Sequence, residues 1–574
     1  MLVWQISRIG MVWLFIAVLA VIAPFLMHLP FWVMLIPCAG LVWRIGIYRG
    51  LLGSPGKIVK TLLVCASIAG LAFSFSRLYG LEPMASMLIC AFGLKLLEIR
   101  QRRDALIVIF LAYFVAAVYA LFIQDLLAGV IILLAYCCVT ASLAGIHQTA
   151  AIRDSFRPLK KALVILLQAI PLMVIFFLVM PRLGSFWSVP APHTAVTGMS
   201  DSLAIGDITD LSTSSETAFR VTFDGDMPPR DQMYWRGLTF SRFDGKTWRP
   251  VSWGFKNGMV QWHGSNADWW QDDVVVDGKS FTYDVILERQ NGQWLFGVLG
   301  SKPLTAETGV SRMQTLVSMV PVTKRFQYKA IAWPNVRFQA DGLDDMRRDI
   351  ELSLPDGVNP QTRTMAEQWA IETKDTEALV ERALDYYRTG FAYTLQPPAL
   401  GENTIDDFLF TSKRGFCEHF ASSFVFLMRA AGVPARLVVG YQGGEVHPQE
   451  GYLTVRQYDA HAWAEVWREG QGWTRVDPTA VVAPDRISMG LISMMTAPVV
   501  FSTTTMTLDK YQDVSWLNSL RLYLDSVDYA WGRWVLGYQN VQMDVLQRLL
   551  GKVNFERIIL FILGGSLLAL LPVL

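Results

Sequence analysis

The chain has six cysteines, and Cys417 alone lies outside an apolar, membrane-like run. It stands in Arg414-Gly415-Phe416-Cys417-Glu418-His419-Phe420, followed by apolar or small residues at Phe420, Ala421, Phe424, Leu427, Met428 and Ala431. Those spacings put Cys417 on the buried face of one helix. Gly432 and Pro434 mark its end. A thiol in the first helical turn meets unpaired backbone N–H groups and the positive end of the dipole, both of which favour the thiolate. The bland alternative is an inert core cysteine. Placement at a helix N-terminus beyond the membrane, with no disulfide partner, favours a nucleophile.

A thiol nucleophile needs a base. His419 is near in sequence, but two residues along a helix is a rotation of about 200°, so it faces away. His263 and His447 lie in loop-like, Gly-flanked stretches. His461 lies in Ala460-His461-Ala462-Trp463-Ala464-Glu465-Val466-Trp467, whose alternation predicts a strand with His461, Trp463, Glu465 and Trp467 on one face. The next extended segment is Gln471 to Asp477, and Arg468-Glu469-Gly470 reads as a three-residue hairpin loop. Pairing outward from that loop sets Glu465 opposite Trp473, Trp463 opposite Arg475 and His461 opposite Asp477. Opposed β-carbons lie within about 5.5 Å, close enough for Asp477 to orient the imidazole. A slip of one residue would separate the two by face, and Asp459 is the fallback orienting acid.

The elements that position these groups sit in an unusual chain. It has 574 residues, 52% hydrophobic and 17% charged, with a mean hydropathy of +0.33, which indicates several domains and a membrane protein. A net charge of +1 gives no electrostatic case for a nucleic-acid partner. Neither a CxxC nor a spaced Cys/His set is present, which argues against zinc sites and a disulfide framework. Apolar runs near 9–27, 31–48, 61–79, 84–99, 105–123, 126–146 and 162–180 are expected to cross the bilayer. Alternate loops are basic (Arg44 to Lys60, Arg100 to Arg103, Arg153 to Lys161) and are assigned to the cytoplasm. Everything after Pro181 then lies on the far side, and Ile558 to Leu574 is expected to return the chain. The sequence ends inside or just after that run, which leaves room for a cytoplasmic tail.

The expected order is a transmembrane α-helical bundle over 1–181, a linker and β-sandwich-like domain over 182–335, an α+β core over 336–490, a helical connector over 491–555 and a closing span over 556–574. In the β-rich part, Ala218–Phe223, Thr282–Leu287 and Phe326–Ile331 read as strands separated by Asp-Gly and Asn-Gly turns. Its tryptophans read mainly as core, with Trp269-Trp270 the pair expected to be exposed.

Arg414 to Ala421, Arg429 to Arg436, Val439-Gly440-Tyr441, Asp459 to Val466 and Gly472 to Thr479 together resemble the transglutaminase core. With the N-terminal helices and the last span, the chain is similar to the bacterial membrane-anchored transglutaminase-like proteins of the TgpA type. The resemblance implies a papain-like fold with Cys417 as nucleophile, His461 as general acid/base and Asp477 as orienting acid. It also implies an inner-membrane location with a periplasmic catalytic domain, in contact with membrane lipid. Animal relatives use calcium, but no EF-hand-like loop occurs here, and no cofactor or metal is expected. The implied reaction is acyl transfer from a protein glutamine through a thioester to an amine, acting on cell-envelope proteins. The Cys417 backbone N–H would serve as one oxyanion donor, with Tyr393 or Gln396 as the second. Water would attack the same thioester, so a cysteine peptidase or amidase acting on envelope protein or peptidoglycan peptide is the alternative. A non-catalytic scaffold is disfavoured by the intact Cys, His and Asp.

Overall fold

The computed structural model describes residues 7–75, 80–99, 101–122, 126–148, 154–179, 199, 202–204, 211, 214–251, 260–263, 273–333, 335–373, 375–488, 490, 519, 522–534 and 564. The chain forms two compact units, one of 1–194 with 525–574 and the other of 195–524.

In the first unit the apolar runs become helices α1 (Arg8–Ile22), α2 (Phe31–Tyr48), α3 (Lys57–Ser74), α4 (Leu81–Leu96), α5 (Arg102–Val118), α6 (Leu126–Ile146) and α7 (Arg157–Val179). Ser7 caps α1 by accepting from the Gly10 N–H at 3.1 Å. Leu14, Val18, Ile89, Val108, Val115 and Val139 are buried between the helices. Among the described residues, five helices are long and apolar enough to cross a membrane: Arg8–Leu26, Phe31–Tyr48, Lys57–Ser74, Arg102–Leu121 and Leu127–Ile146. α4 has 16 residues, a length of about 24 Å against the ~30 Å of a hydrocarbon core. α7 opens with Arg157, Lys160 and Lys161 in its first turns. The run 558–574 lies outside the described residues apart from Gly564, and of the stretch 491–555 the described part 522–534 is helical.

Among the six sheets described in the second unit, two antiparallel ones frame the site. Strands β1 (Thr217–Asp224), β2 (Tyr234–Phe240), β3 (Phe281–Leu287) and β4 (Phe326–Ala332) come from the β-rich region. Helices α8 (Asp345–Leu352), α9 (Pro360–Glu372) and α10 (Thr376–Arg388) follow, then the cysteine helix α11 (Cys417–Ala430). Strands β5 (Ala435–Gln442), β6 (Leu453–Arg456), β7 (Ala460–Arg468) and β8 (Gly472–Val476) and the short α12 (Pro484–Ser488) complete the core. One sheet has the order β8-β7-β5-β2, and the other has β4-β3-β1-β6 at its centre. Hence β2 and β1, from the region before 335, pair with β5 and β6 from the region after it. These two sheets, and a third in which Asn335–Phe338 pairs with Val274–Asp277, run across the boundary expected at 335/336. No local pattern signals a pairing between strands some two hundred residues apart.

The closeness of β2 and β5 depends on Gly440, where a β-carbon would stand 1.9 Å from the Trp235 carbonyl oxygen. Trp235 and Trp248 are fully buried, which matches the core-filling role expected of them. Trp269-Trp270 lie outside the described residues. Beneath the site sheet is a buried charge cluster: Glu465 accepts from Arg236 Nε at 2.8 Å and from Arg436 Nε at 2.8 Å. The Arg436 guanidinium lies 3.9 Å over the Trp473 ring. Burial alone would raise the Glu465 carboxyl, but the two arginines hold it at about 2.

Candidate active site

Cys417 opens the 14-residue helix α11. Phe416 before it is extended, and Arg414-Gly415 pairs in parallel with Ala392-Tyr393, so the chain enters the helix along a short strand. The helix is buried from Cys417 to Arg429 and not along one face only. It packs on the sheet on one side and on α8 and α9 on the other, so Glu418 and His419 are also enclosed. His419 packs against the Phe416 and Phe408 rings at 4.7 and 5.4 Å. Burial holds its imidazole down at about 4. His447 receives the Glu450 N–H on Nδ1 at 3.2 Å and stacks on Tyr452, and His263 is exposed.

His461, fully buried on β7, bonds Asp477 Oδ2 through Nε2 at 2.8 Å. The Tyr234 hydroxyl donates to the same oxygen at 2.7 Å, and the Thr479 N–H donates to Oδ1 at 2.9 Å. The carboxylate is thus held by three donors. Burial opposes its ionisation, yet His461, Tyr234 and the Thr479 N–H hold its pKa below the ordinary value. The imidazole is pushed down by burial and partly restored by Asp477. His461 Nδ1 has no hydrogen-bond partner, while the adjacent Ala462 N–H has a hydrogen-bonding interaction with the Cys417 sulfur. Burial and then Glu418 push the thiol up to about 12, with Arg486 and the Ala462 N–H opposing. The Cys417 sulfur therefore lies against the strand segment next to His461, whose Nε2 is anchored to the Asp477 carboxylate.

The hairpin that carries the pair has a different register from the expected one. Glu465 lies opposite Arg475, Trp467 opposite Trp473 and Arg468 opposite Gly472. The loop is Glu469-Gly470-Gln471, with Gly470 and Gly472 at φ of 71° and 75°. Gly472 fits only as glycine, because a β-carbon there would stand 2.0 Å from the Phe338 carbonyl oxygen. That contact with a strand distant in sequence displaces the turn. The shift is two residues, which preserves the faces. Asp477 is therefore diagonal to His461, beyond the last pair at Ala464 and Val476, and still reaches it. Asp459, the fallback acid, accepts instead from the Arg456 N–H at 3.0 Å.

Two site residues were not legible in sequence. Tyr234 stands on β2, at the edge of the site sheet. Arg486, on α12, donates to the Ala460 carbonyl at 3.2 Å. Trp473 and Trp467 donate to the Gln339 side chain and carbonyl at 3.0 and 2.9 Å and serve packing. Of the two proposed side donors, Gln396 is exposed, whereas Tyr393 interacts electrostatically with Cys417 and Arg486.

A buried thiol at a helix N-terminus beside a strand-borne His–Asp pair is the arrangement of a transglutaminase-like core. Comparison with known proteins agrees. Residues 13–338 match the family described as the TgpA N-terminal domain, and residues 363–478 match the transglutaminase-like superfamily. A protein-glutamine gamma-glutamyltransferase of Pseudomonas aeruginosa is 40% identical over 570 residues, covering 98% of this chain and 83% of the relative. The uncharacterized protein YebA of Bacillus subtilis is 25% identical over 344 residues, 53% of this chain and 45% of its own. The crystal structure of the periplasmic domain of TgpA from Pseudomonas aeruginosa is 42% identical, with 52% of this chain and 100% of that domain covered and a TM-score of 0.49. The chain belongs to the TgpA family of transglutaminase-like membrane proteins.

Proposed function

We propose that this protein is a membrane-anchored protein-glutamine gamma-glutamyltransferase in which Cys417 is the nucleophile, His461 the general acid/base and Asp477 the orienting acid. The observation that carries the reading is the 2.8 Å bond from His461 Nε2 to Asp477. It leaves Nδ1 as the free basic nitrogen beside the helix that begins with Cys417. The Cys417 sulfur attacks a glutamine carboxamide carbon as its proton passes to His461 Nδ1. The tetrahedral oxyanion is met by the Cys417 backbone N–H, which as a first-turn amide has no intrahelical acceptor, and by the Tyr393 hydroxyl. His461 then protonates the departing ammonia and a thioester remains. An amine attacks the thioester with His461 as base, which forms the isopeptide bond and releases the thiol. The substrates are glutamine and amine groups of cell-envelope proteins.

The seven N-terminal helices all cross the inner membrane in this reading, residues 182–490 are periplasmic, 491–555 connects, and 556–574 closes the anchor. The test uses full-length protein in detergent with a glutamine peptide and a labelled primary amine, following amine incorporation and free acid together. Incorporation abolished by Cys417→Ala is the expected result. Acid formation alone would assign a hydrolase, and equal turnover by Cys417→Ala would overturn the site.

A further inference from the structure

A cleft between α3 and α4 changes character along its length. α3 is one of the five helices long and apolar enough to cross a membrane, yet of its residues only Ser67 and Leu71 are buried. The cleft has a volume of about 370 Å³ and is walled by Val64, Ile68, Leu71, Met87, Ala91 and Leu94, with Lys60, Lys95 and Glu98 at its charged end. Its apolar part asks for no polar partner, because the Ser67 hydroxyl donates to the Leu63 carbonyl at 2.7 Å. The charged end also borders a second cavity of about 500 Å³, which shares Lys60, Lys95 and Glu98 and adds Ser54, Pro55, Gly56, Lys57 and Asp104. Residues 54–57 there lead into α3. Gly56 gives that helix no side-chain cap, its first amides have no intrahelical acceptor, and its dipole is positive at that end.

Charge and depth say what fits. Glu98 is shared by two ammonium groups, Lys60 Nζ at 3.3 Å and Lys95 Nζ at 2.8 Å. One carboxylate against two lysines leaves a net positive charge, and Lys57 adds another. Asp104 opposes them, but its Oδ2 already accepts the Gln101 N–H at 3.1 Å. Arg44, which donates at 2.7 Å to the carbonyl of Ile99, the residue after Glu98, adds a further cation at the same end. By the distribution of basic loops this end lies at the cytoplasmic surface. The helical rise from Lys60 to Leu71 is roughly 16 Å, about half of the ~30 Å hydrocarbon core and so the depth of one leaflet. An acyl chain matches the apolar length and an anionic headgroup the lysine end, whereas a zwitterionic headgroup would bring its own cation against the lysines. We propose that the cleft between α3 and α4 binds an anionic phospholipid of the cytoplasmic leaflet. Lys57, Lys60 and Lys95 take the phosphate, and one acyl chain lies along Val64, Ile68 and Met87. Basic pockets between transmembrane helices on the cytoplasmic side hold such headgroups. Glu98 keeps the two lysines together, and the phosphate competes with it for them.

The test titrates full-length protein in nonionic detergent with phosphatidylglycerol or phosphatidylcholine of identical chains and counts bound lipid by native mass spectrometry. The parent should retain phosphatidylglycerol preferentially. Lys60→Gln/Lys95→Gln should weaken its binding roughly 25-fold, about fivefold per lysine. Lys160→Gln/Lys161→Gln makes the same change of charge at the exposed start of α7 and should leave binding within about twofold of the parent. Glu98→Gln removes the competing carboxylate and should tighten binding. Ala91→Phe, at an exposed position on the cleft wall, should weaken binding of both lipids with every lysine in place. Equal retention of the two lipids by the parent, an equal loss in Lys160→Gln/Lys161→Gln, a loss in Glu98→Gln or unchanged binding in Ala91→Phe would each overturn the proposal. So would displacement by glycerol phosphate at the lipid's own concentration, which would assign a free-anion site instead. None of these readouts involves Cys417, so the transferase reading stands or falls apart from them.

Discussion

Replacing Asp477 by asparagine changes one atom and should disable the base through its tautomer. The carboxylate accepts from His461 Nε2 and the Tyr234 hydroxyl on Oδ2 and from the Thr479 N–H on Oδ1. If the amide oxygen takes the Oδ2 position, His461 keeps its proton on Nε2, but the amide NH2 then faces the Thr479 N–H. If the amide turns over, its oxygen satisfies Thr479 while its NH2 donates to Tyr234 and to His461 Nε2, which forces the imidazole proton onto Nδ1. The second arrangement satisfies Thr479 and costs the Tyr234 O–H its acceptor, whereas the first sets two N–H donors face to face, so the second is favoured by up to the cost of one unmade buried bond, about 1–3 kcal/mol. The productive tautomer is thereby depleted roughly 5–150-fold. Exchanging a charge-assisted bond for a neutral one weakens the imidazolium by about 1–2 kcal/mol more, another factor of roughly 5–30. The product spans roughly 25- to 4,500-fold, so kcat should fall by about 300-fold, with KM nearly unchanged because Asp477 bonds the base and not the substrate. Amine incorporation by full-length Asp477→Asn measures the loss, thermal melting confirms the fold, and 15N spectra of labelled histidine should place the His461 proton on Nδ1. A variant within threefold of the parent, or one that keeps the Nε2 proton, would refute the reasoning.

Glu465→Gln strips the buried anion from Arg236 and Arg436 and should cost about 3–5 kcal/mol, read as a lowered denaturant midpoint at unchanged slope. Glu465 has a folded pKa of about 2, below its unfolded value near 4.3. Its stabilisation is therefore full above that unfolded value and is lost as pH falls toward 2, so acid unfolding of Glu465→Gln should be shallower than the parent's across that window. The buried His461 is held below the ordinary imidazole range and must be neutral to act. The acid limb of kcat/KM should accordingly have its midpoint below about 6.5, and a midpoint above that value would contradict the assignment. Gly440→Ala would set a β-carbon 1.9 Å from the Trp235 carbonyl, so it should separate β2 from β5 and lower the melting temperature. It should also lower turnover, because β2 carries Tyr234 to Asp477.

The residues proposed as a triad were picked out by signals local enough to be read in the sequence. Helical spacing after Cys417, two-residue alternation through His461 and the glycine-bearing turn before Asp477 are short-range signals, and each follows from backbone geometry alone. Rotation about α11 excluded His419 for the same reason. The tertiary structure decided what those periods do not encode. Gly472 packing against Phe338 shifted the hairpin by two residues, and α11 is enclosed on all sides because distant helices cover the face that periodicity left open. The pairing of β2 with β5 brought Tyr234 to a carboxylate 243 residues away. The fold likewise placed the Arg486 guanidinium against the Ala460 carbonyl. Side-chain partners so far apart in the chain leave no spacing to read. They become neighbours only when apolar burial brings the sheet and the helices together around the cysteine helix.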